Sequence, residues 1–178
     1  HRSAGHDATF LRWRLLRARE KTLDLQARRA EQGADIEALE RLADSLASDA
    51  RRAYAAWRRS YRALRMADWT ACQSAAQRSM AFAESAGDRA LRLHALRLLA
   101  SALAMQGDLV AGKALASEGL ADARARGLRA NEEALLNTLI VIANMQGDVM
   151  ANLDLSRQNL RINREIGDTD AATSRDHL

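Results

Sequence analysis

Five glycines recur at intervals of twenty residues, and this spacing constrains the fold more than any other feature of the sequence. The five are Gly87, Gly107, Gly127, Gly147 and Gly167, with Ala67 in the preceding slot. An aspartate follows the slot every time except at Leu128, and the letters MQGD occur twice, forty residues apart. A fixed period of this kind predicts an internal repeat built from short, similar segments.

Each Gly-Asp pair predicts the end of one helix and the start of the next. Glycine adopts left-handed backbone dihedrals without a Cβ clash, while an aspartate accepts N–H bonds at the start of the following helix. A phosphate-binding loop is not indicated, because it needs several glycines after a strand, with Lys and Ser or Thr beside them. We therefore interpret all five glycines as structural turns.

The composition predicts an all-α fold. Proline is absent, aromatics make up only 4% of the chain, and the abundant Ala, Leu, Arg and Glu are strong helix formers. The segments between glycines show helical periodicity, as in Leu91, Leu96, Leu99 and Leu103. Short turns would join these helices into antiparallel hairpins. The expected helices lie near residues 49–66, 68–86, 88–106, 108–126, 128–146 and 148–166.

This register divides the chain into hairpins and two ends. Residues 1–7 are expected to be disordered or tag-derived, and residues 8–48 to form an atypical N-terminal hairpin whose first helix ends at Gly33. The first residue is not Met, so we expect a fragment of a larger protein. The predicted repeats of about forty residues are 49–87, 88–127 and 128–167, and residues 168–178 are expected to be a truncated helix or tail.

The available side chains disfavour several classes of function. Cys72 is the single cysteine and three of the four histidines lie near the termini, so neither a metal site nor a nucleophile–His–Asp set is indicated. The sequence has no apolar run long enough for a membrane span and no signal peptide pattern. We expect a non-enzymatic protein without cofactor or metal, located in the cytoplasm.

Positive charge is concentrated in the N-terminal part of the chain. Residues 1–66 carry 15 basic and 9 acidic side chains, whereas residues 67–178 carry 12 and 14. Arginines and aromatics interleave in RWRLLRARE and RRAYAAWRRSYRALR, as in proteins that bind single-stranded nucleic acid. Because acids are interspersed, the same arginines can equally form solvated helix faces, and nucleic acid is the weaker interpretation. These arginines are Arg12, Arg19, Arg51, Arg58, Arg62 and Arg65.

Residue sizes in the second repeat resemble the tetratricopeptide (TPR) pattern. In that pattern helix A is the first helix of each pair and helix B the second. Leu96, Leu99, Ala100 and Leu103 fit its large, large, small and large positions on helix A. Its small positions on helix B hold Gly112, Ala116 and Gly119, and in the preceding unit Cys72, Ala76 and Ser79. The pattern departs in the third unit, which has Asn152, Ser156 and Asn159 at those positions. The helix-B proline is missing, and the spacing is forty residues instead of thirty-four.

Two longer segments are similar to the helical-repeat region of large bacterial signalling ATPases. The segments are NLRINREIGDTDAAT and REKTLDLQARRAEQGADIEALERLADSLA, and the family includes maltose-activator-type transcriptional regulators and cyclase-linked relatives. The resemblance implies a right-handed TPR-like α-solenoid that serves a bacterial regulator as a protein- or peptide-interaction or sensory module. It also implies an upstream nucleotide-binding module outside this chain.

The same resemblance implies that the A helices line a concave groove. Asn can pair with peptide amides and Arg with a carboxylate, so an extended peptide is the expected ligand. Packing inside the protein remains the alternative for each single residue, and two other functions stay open: contact of the basic N-terminal helices with an anionic surface, and self-association into a homo-oligomer. The predicted groove residues are Tyr54, Trp57, Tyr61, Arg65, His94, Arg97, Ser101, Asn137 and Asn144.

Overall fold

The structure, a computed structural model, describes the backbone of residues 2–175 and the side chains of residues 8–167. Over this range the chain forms eight α-helices and no strand, which confirms the all-α prediction. The helices are α1 (Arg2–Leu25), α2 (Arg29–Ser45), α3 (Asp49–Arg65), α4 (Trp69–Ser85), α5 (Arg89–Met105), α6 (Leu109–Ala125), α7 (Arg129–Gln146) and α8 (Val149–Arg175).

The chain divides into two compact units, His1–Ala95 and Leu96–Leu178. In the first unit α1 packs on α2, α2 on α3, and α3 on α4. In the second unit α6 packs on α7 and α7 on α8. Helix α5 contributes its first residues to the first unit and the rest to the second. Within each unit, helices that follow one another in sequence are therefore neighbours in space.

A residue with left-handed backbone dihedrals occurs every twenty positions between the helices. At Gly107 (φ 97°), the N–H of Asp108 donates to Leu103 O at 3.0 Å and closes the end of α5. Asp108 then accepts the N–H of Ala111 at 3.0 Å through Oδ1 and starts α6. One residue thus completes the hydrogen bonding of two helix ends. The left-handed residues are Ala27, Ala47, Ala67, Gly87, Gly107, Gly127 and Gly147.

Two glycines do not have the turn role that the sequence suggested. Gly33 lies inside α2, because α1 already ends at Leu25, and a Cβ at Gly33 would be 3.0 Å from Cζ of Arg62. Close approach of an arginine explains that glycine better than a helix end does. Gly167 lies inside α8, with open space around it. Glycine in a helix costs only about 1 kcal/mol relative to Ala, which is too little to end a helix by itself. A helix ends at a glycine where a following helix packs back on it. No helix follows α8 within the described residues, so α8 continues through Gly167.

The two predicted end segments belong, where they are described, to the first and last helices. Helix α1 already includes residues 2–7, which the sequence separated as disordered or tag-derived. Helix α8 continues through residues 168–175, the expected truncated helix or tail. Residues 1 and 176–178 of those two segments lie outside the described chain.

The second unit shows why α6 carries small residues at the positions where α4 carries them forty residues earlier. A Cβ on Gly112 of α6 would be 2.8 Å from the backbone oxygen of Ala100 on α5. A Cβ on Gly119 would be 2.7 Å from a methyl carbon of Leu96 and 3.2 Å from one of Leu135. At Gly112, helix α6 therefore approaches the backbone of α5 at a distance that only glycine permits. In the first unit, Cys72, Ala76 and Ser79 of α4 are fully buried at the corresponding positions.

Candidate binding cleft

An open cleft of about 530 Å³ lies in the first unit, bordered by α1 and by the first turns of α3 and α5. Its lining combines aromatic rings with guanidinium groups, and we call it the aromatic–arginine cleft. The aromatic side chains are Phe10, Trp13 and Tyr54, and the cationic ones are Arg14, Arg17 and Arg51. A volume between about 300 and 1,000 Å³ is typical of sites for small ligands or single inserted groups.

Helical spacing explains why α1 supplies so much of this lining. Phe10, Trp13, Arg14 and Arg17 follow one another at intervals of three, one and three residues, so they share one face of the helix. Trp13 anchors that face because it is only 4% exposed and packs with Leu39, Leu42 and Ala43 of α2. Burial of the tryptophan on one side leaves the arginines of the same face at the edge of the cleft.

Tyr54 is the centre of the aromatic contacts. Its ring lies edge-on to Trp13 at 6.0 Å between centroids and edge-on to Trp57 at 5.5 Å. Trp57 in turn lies 5.6 Å from His94 of α5. Cζ of Arg17 stands over the Tyr54 ring at 4.2 Å from the centroid. This cation–π contact holds the guanidinium against the wall of the cleft.

Arg51 is held by a second pair of rings. Its Cζ lies 6.0 Å from the centroid of Phe10 and 5.8 Å from that of Trp13. Arg14, on the same face of α1, is exposed. Within the described side chains, no carboxylate forms an ion pair with Arg14, Arg17 or Arg51. The cleft therefore carries uncompensated positive charge.

The acid in the lining is already engaged. Asp88 accepts the backbone N–H of Leu91 at 3.0 Å and so caps the first turn of α5. A carboxylate at this place is stabilised by the positive end of the helix dipole. The Asp88 carboxylate thus stabilises the start of α5. Its single negative charge balances only one of the three positive charges of the lining arginines.

Three buried polar atoms beside the cleft have no hydrogen-bond partner among the described residues. They are Oη of Tyr54, Nε1 of Trp57 and Nε of Arg17. Each unsatisfied buried group costs about 1–3 kcal/mol, and such groups are rare in native structures. Their concentration at one place is typical of a functional site more than of a core optimised for stability.

A buried ion-pair network lies next to this region and holds α1, α2 and α3 together. Arg58 donates to both carboxylate oxygens of Glu20, at 2.7 and 2.8 Å, and to Asp24 at 3.1 Å. Gln32 of α2 donates to Glu20 at 2.7 Å. Burial by itself would lower the pKa of Arg58, but hydrogen bonds and charge from Glu20 outweigh it, so the pKa is raised. This network leaves no oxygen of Glu20 open to a ligand and is structural.

The arginines predicted to form solvated faces are therefore of two kinds. Arg58 is only 5% exposed, and Arg62 donates to the backbone oxygen of Arg29 at 2.8 Å, so neither lies on a solvated face. Arg19 pairs with Asp35 of α2. Arg12 and Arg65 are exposed, and Arg51 is half-buried at the cleft. Sequence periodicity did not separate these cases, because the acidic partners of Arg58 are 38 and 34 residues away.

Five of the nine predicted groove residues belong to the first unit. Tyr54, Trp57 and His94 form the chain of ring contacts, but only Tyr54 lines the aromatic–arginine cleft. The ring of Tyr61 lies 5.1 Å from Cζ of Arg58, and Arg65 is exposed in the last turn of α3.

The other four belong to the second unit. Ser101 donates to the backbone oxygen of Arg97 within α5 at 3.0 Å. Asn137 accepts from Asn159 at 2.6 Å, and Asn144 accepts from Asn152 at 2.7 Å. Both asparagines of α7 thus join it to α8, although each is exposed.

Sequence reasoning missed most of the cleft. It noted the arginines and aromatics of RWRLLRARE but assigned no binding residue there. The spacing of Phe10, Trp13, Arg14 and Arg17 on one helix face was the available signal. Arg51 and Asp88 could not be assigned to the same site from the sequence, because only the packing of α1 on α2 and α3 brings them close to that helix face.

Two kinds of feature are absent from the described residues. They include no group of three or more His, Cys, Asp or Glu side chains placed to bind a metal ion. None of the described helices has the length and hydropathy that crossing a bilayer requires. In comparisons with known proteins, no family model matches the chain, and no curated protein matches it either.

Proposed function

We propose that the chain is a non-enzymatic interaction module of a bacterial multidomain regulator and binds a protein or peptide partner in the cytoplasm. The proposal includes a right-handed TPR-like arrangement with about forty residues per repeat. Left-handed residues at every twentieth position support such a repeat. Buried small residues at corresponding positions of α4 and α6 support TPR-like packing of the helix pairs.

The aromatic–arginine cleft is the observation that carries a binding function. It offers a concave surface, aromatic rings and three guanidinium groups without carboxylate partners among the described residues. Arginine and large aromatics are the residues that most often dominate the binding energy of protein interfaces. We therefore place the partner segment in this cleft and not along all nine residues of the predicted groove.

Selection of peptides on the immobilised chain, followed by mutation, tests the proposal. Arg51→Ala should weaken a selected peptide by about tenfold or more, because a central arginine contact is removed. Arg78→Ala is the matched control, since Arg78 is exposed on α4 and does not line the cleft. Failure to select any peptide, or equal loss in both variants, would contradict the proposal. If only the double variant Arg97→Ala, Asn137→Ala loses affinity for the peptide, the binding site is the predicted groove and not the cleft.

Self-association is the second candidate function, favoured by exposed apolar residues on α8. Met150, Leu153 and Leu160 are 76%, 46% and 52% exposed. Leu160 stands forty residues after Leu120, which is only 7% exposed on α6. Light scattering over a range of protein concentrations should then show a rising mass, and Leu160→Gln should abolish the rise. A constant monomer mass would exclude this function.

A further inference from the structure

We propose that the aromatic–arginine cleft binds a phosphomonoester attached to an apolar or aromatic group. The inference rests on the proposed binding function and names the chemistry that the cleft selects. The phosphate would belong either to a phosphorylated side chain of the partner or to a free small organic phosphate. In both cases the recognition chemistry is the same.

The first argument is the local excess of charge. The three arginines that line the cleft form no ion pair within the described residues, whereas several other arginines of the first unit are paired with carboxylates. A ligand with two negative charges would balance three guanidinium groups and the single lining carboxylate, Asp88. Examples of paired arginines in the first unit are Arg19 with Asp35, Arg52 with Asp44, Arg58 with Glu20 and Arg59 with Glu40.

The second argument is how the guanidinium groups are held. Arg17 stands over Tyr54, and Arg51 is near the rings of Phe10 and Trp13. Restriction by the rings lowers the entropy that these side chains lose when they bind a ligand. Arg17 also occupies a face of Tyr54, so the cleft presents guanidinium groups where a stacking nucleobase would need an open ring.

The third argument separates phosphate from carboxylate. A carboxylate has two acceptor oxygens and one charge, which suit a single bidentate arginine. A phosphomonoester has three terminal oxygens and a charge of about −1.5 to −2 at neutral pH, which suit several arginines at once. Three arginines around one cleft therefore favour the phosphate group.

The group that carries the phosphate has its own place in the cleft. Phe10 is 49% exposed, and Leu91 of α5 lines the same space. An apolar or aromatic carrier would cover the exposed part of Phe10 and remove that surface from water. Inorganic phosphate alone lacks this contact and should bind more weakly.

Calorimetric titration of the whole chain with three ligands of the same ring tests the proposal. Phenyl phosphate should bind at least tenfold more tightly than benzoate, and phenol should give no measurable binding. Arg14→Gln and Arg51→Gln should each weaken phenyl phosphate by about tenfold, the effect of losing a charged hydrogen bond. Arg14 is exposed, so its variant should keep the circular dichroism spectrum and melting temperature of the parent.

Arg78→Gln is the control for charge alone and should change the affinity less than twofold. The phosphate inference is overturned if benzoate binds as tightly as phenyl phosphate, or if Arg78→Gln weakens binding as much as Arg51→Gln does. A phosphotyrosine peptide that binds more tightly than phenyl phosphate would assign the phosphate to a protein partner, and equal affinities would assign it to a free small molecule.

The peptide selection separates this inference from the proposed function. Cleft-dependent peptides without a phosphate would retain the interaction function and overturn the phosphate inference. Binding of phenyl phosphate without any selected peptide would retain the phosphate site and overturn the protein-partner function.

Discussion

Three alanines occupy positions where the later turns use glycine. Ala27, Ala47 and Ala67 have φ values of 55°, 46° and 56°. A left-handed conformation costs a residue with a Cβ about 1–2 kcal/mol, whereas glycine adopts it freely. The first three turns therefore store strain that the glycine turns do not have.

Replacement of Ala67 by Gly should stabilise the chain by up to about 1 kcal/mol, because relief of the left-handed strain exceeds the added entropy of the unfolded state. Urea denaturation monitored by circular dichroism measures the change. Ala114→Gly is the matched control, since Ala114 is exposed inside α6. The same substitution there should destabilise by about 1 kcal/mol. Destabilisation by Ala67→Gly would show that the turn is not strained.

At the scale of the helices, stability depends on how closely neighbours approach. Helix α6 meets α5 through Gly112, and both α5 and α7 contact it through Gly119. Asparagine pairs join α7 to α8, and the ion pair of Arg124 with Glu132 joins α6 to α7. The small positions are therefore determined by neighbouring helices and not by the propensity of the helix that carries them.

Gly112→Ala should destabilise the chain by about 1–3 kcal/mol, although alanine is the better helix former. Its Cβ would be 2.8 Å from a backbone oxygen, which cannot rotate away. Gly167→Ala, in open space inside α8, should stabilise by up to about 1 kcal/mol. Thermal melts of the two variants provide the comparison. Opposite results would mean that Gly112 lies in loose packing and that Gly167 ends a helix.

Glu132 should make the stability of the second unit depend on acidity. Burial raises its pKa, but hydrogen bonds from Arg124 and Arg129 outweigh burial, and the pKa lies below its ordinary value. A lowered pKa in the folded state gives stability that is present above the unfolded value of about 4.3 and is lost as pH falls below it. Glu132→Gln should therefore reduce stability at pH 7 and flatten its decline as the pH falls below about 4.3. An unchanged pH profile would exclude this contribution.

At the scale of the whole chain, the basic N-terminal part is less available to nucleic acid than its composition suggests. Ion pairs engage Arg19, Arg29, Arg52, Arg58 and Arg59. The three cleft arginines, and the exposed Arg12 and Arg65, have no ion pair among the described side chains.

Binding of single-stranded DNA should consequently depend only weakly on salt. Contacts from three to five of these arginines, at about 0.7 each, predict a slope between about −2 and −3.5 for log affinity against log salt concentration. Fluorescence anisotropy at salt concentrations between about 50 and 200 mM measures this slope. A slope of about −5 or steeper would instead favour nucleic acid as the partner.

The sequence predicted the helices and most turns but not the cleft. Helix ends follow from local chemistry, as Gly107 and Asp108 illustrate, so a single sequence contains the needed information. The first turn was expected at Gly33 and not at Ala27, because alanine is not a usual left-handed residue. The cleft joins residues 10–17 to Arg51, Tyr54 and Asp88, and only the packing of α1 on its neighbours makes that set.

The regular spacing of the turns has a consequence for changes in chain length. The buried small residues Cys72 and Ala76 of α4 correspond to Gly112 and Ala116 of α6, forty residues later. On the proposed forty-residue repeat, loss of twenty residues would keep the spacing of the turns but would shift α6, with its small positions Gly112 and Ala116, to the place of α5. Loss or duplication of forty residues would keep both the turns and the small positions in register. We therefore expect the length of such a chain to change by pairs of helices and not by single ones.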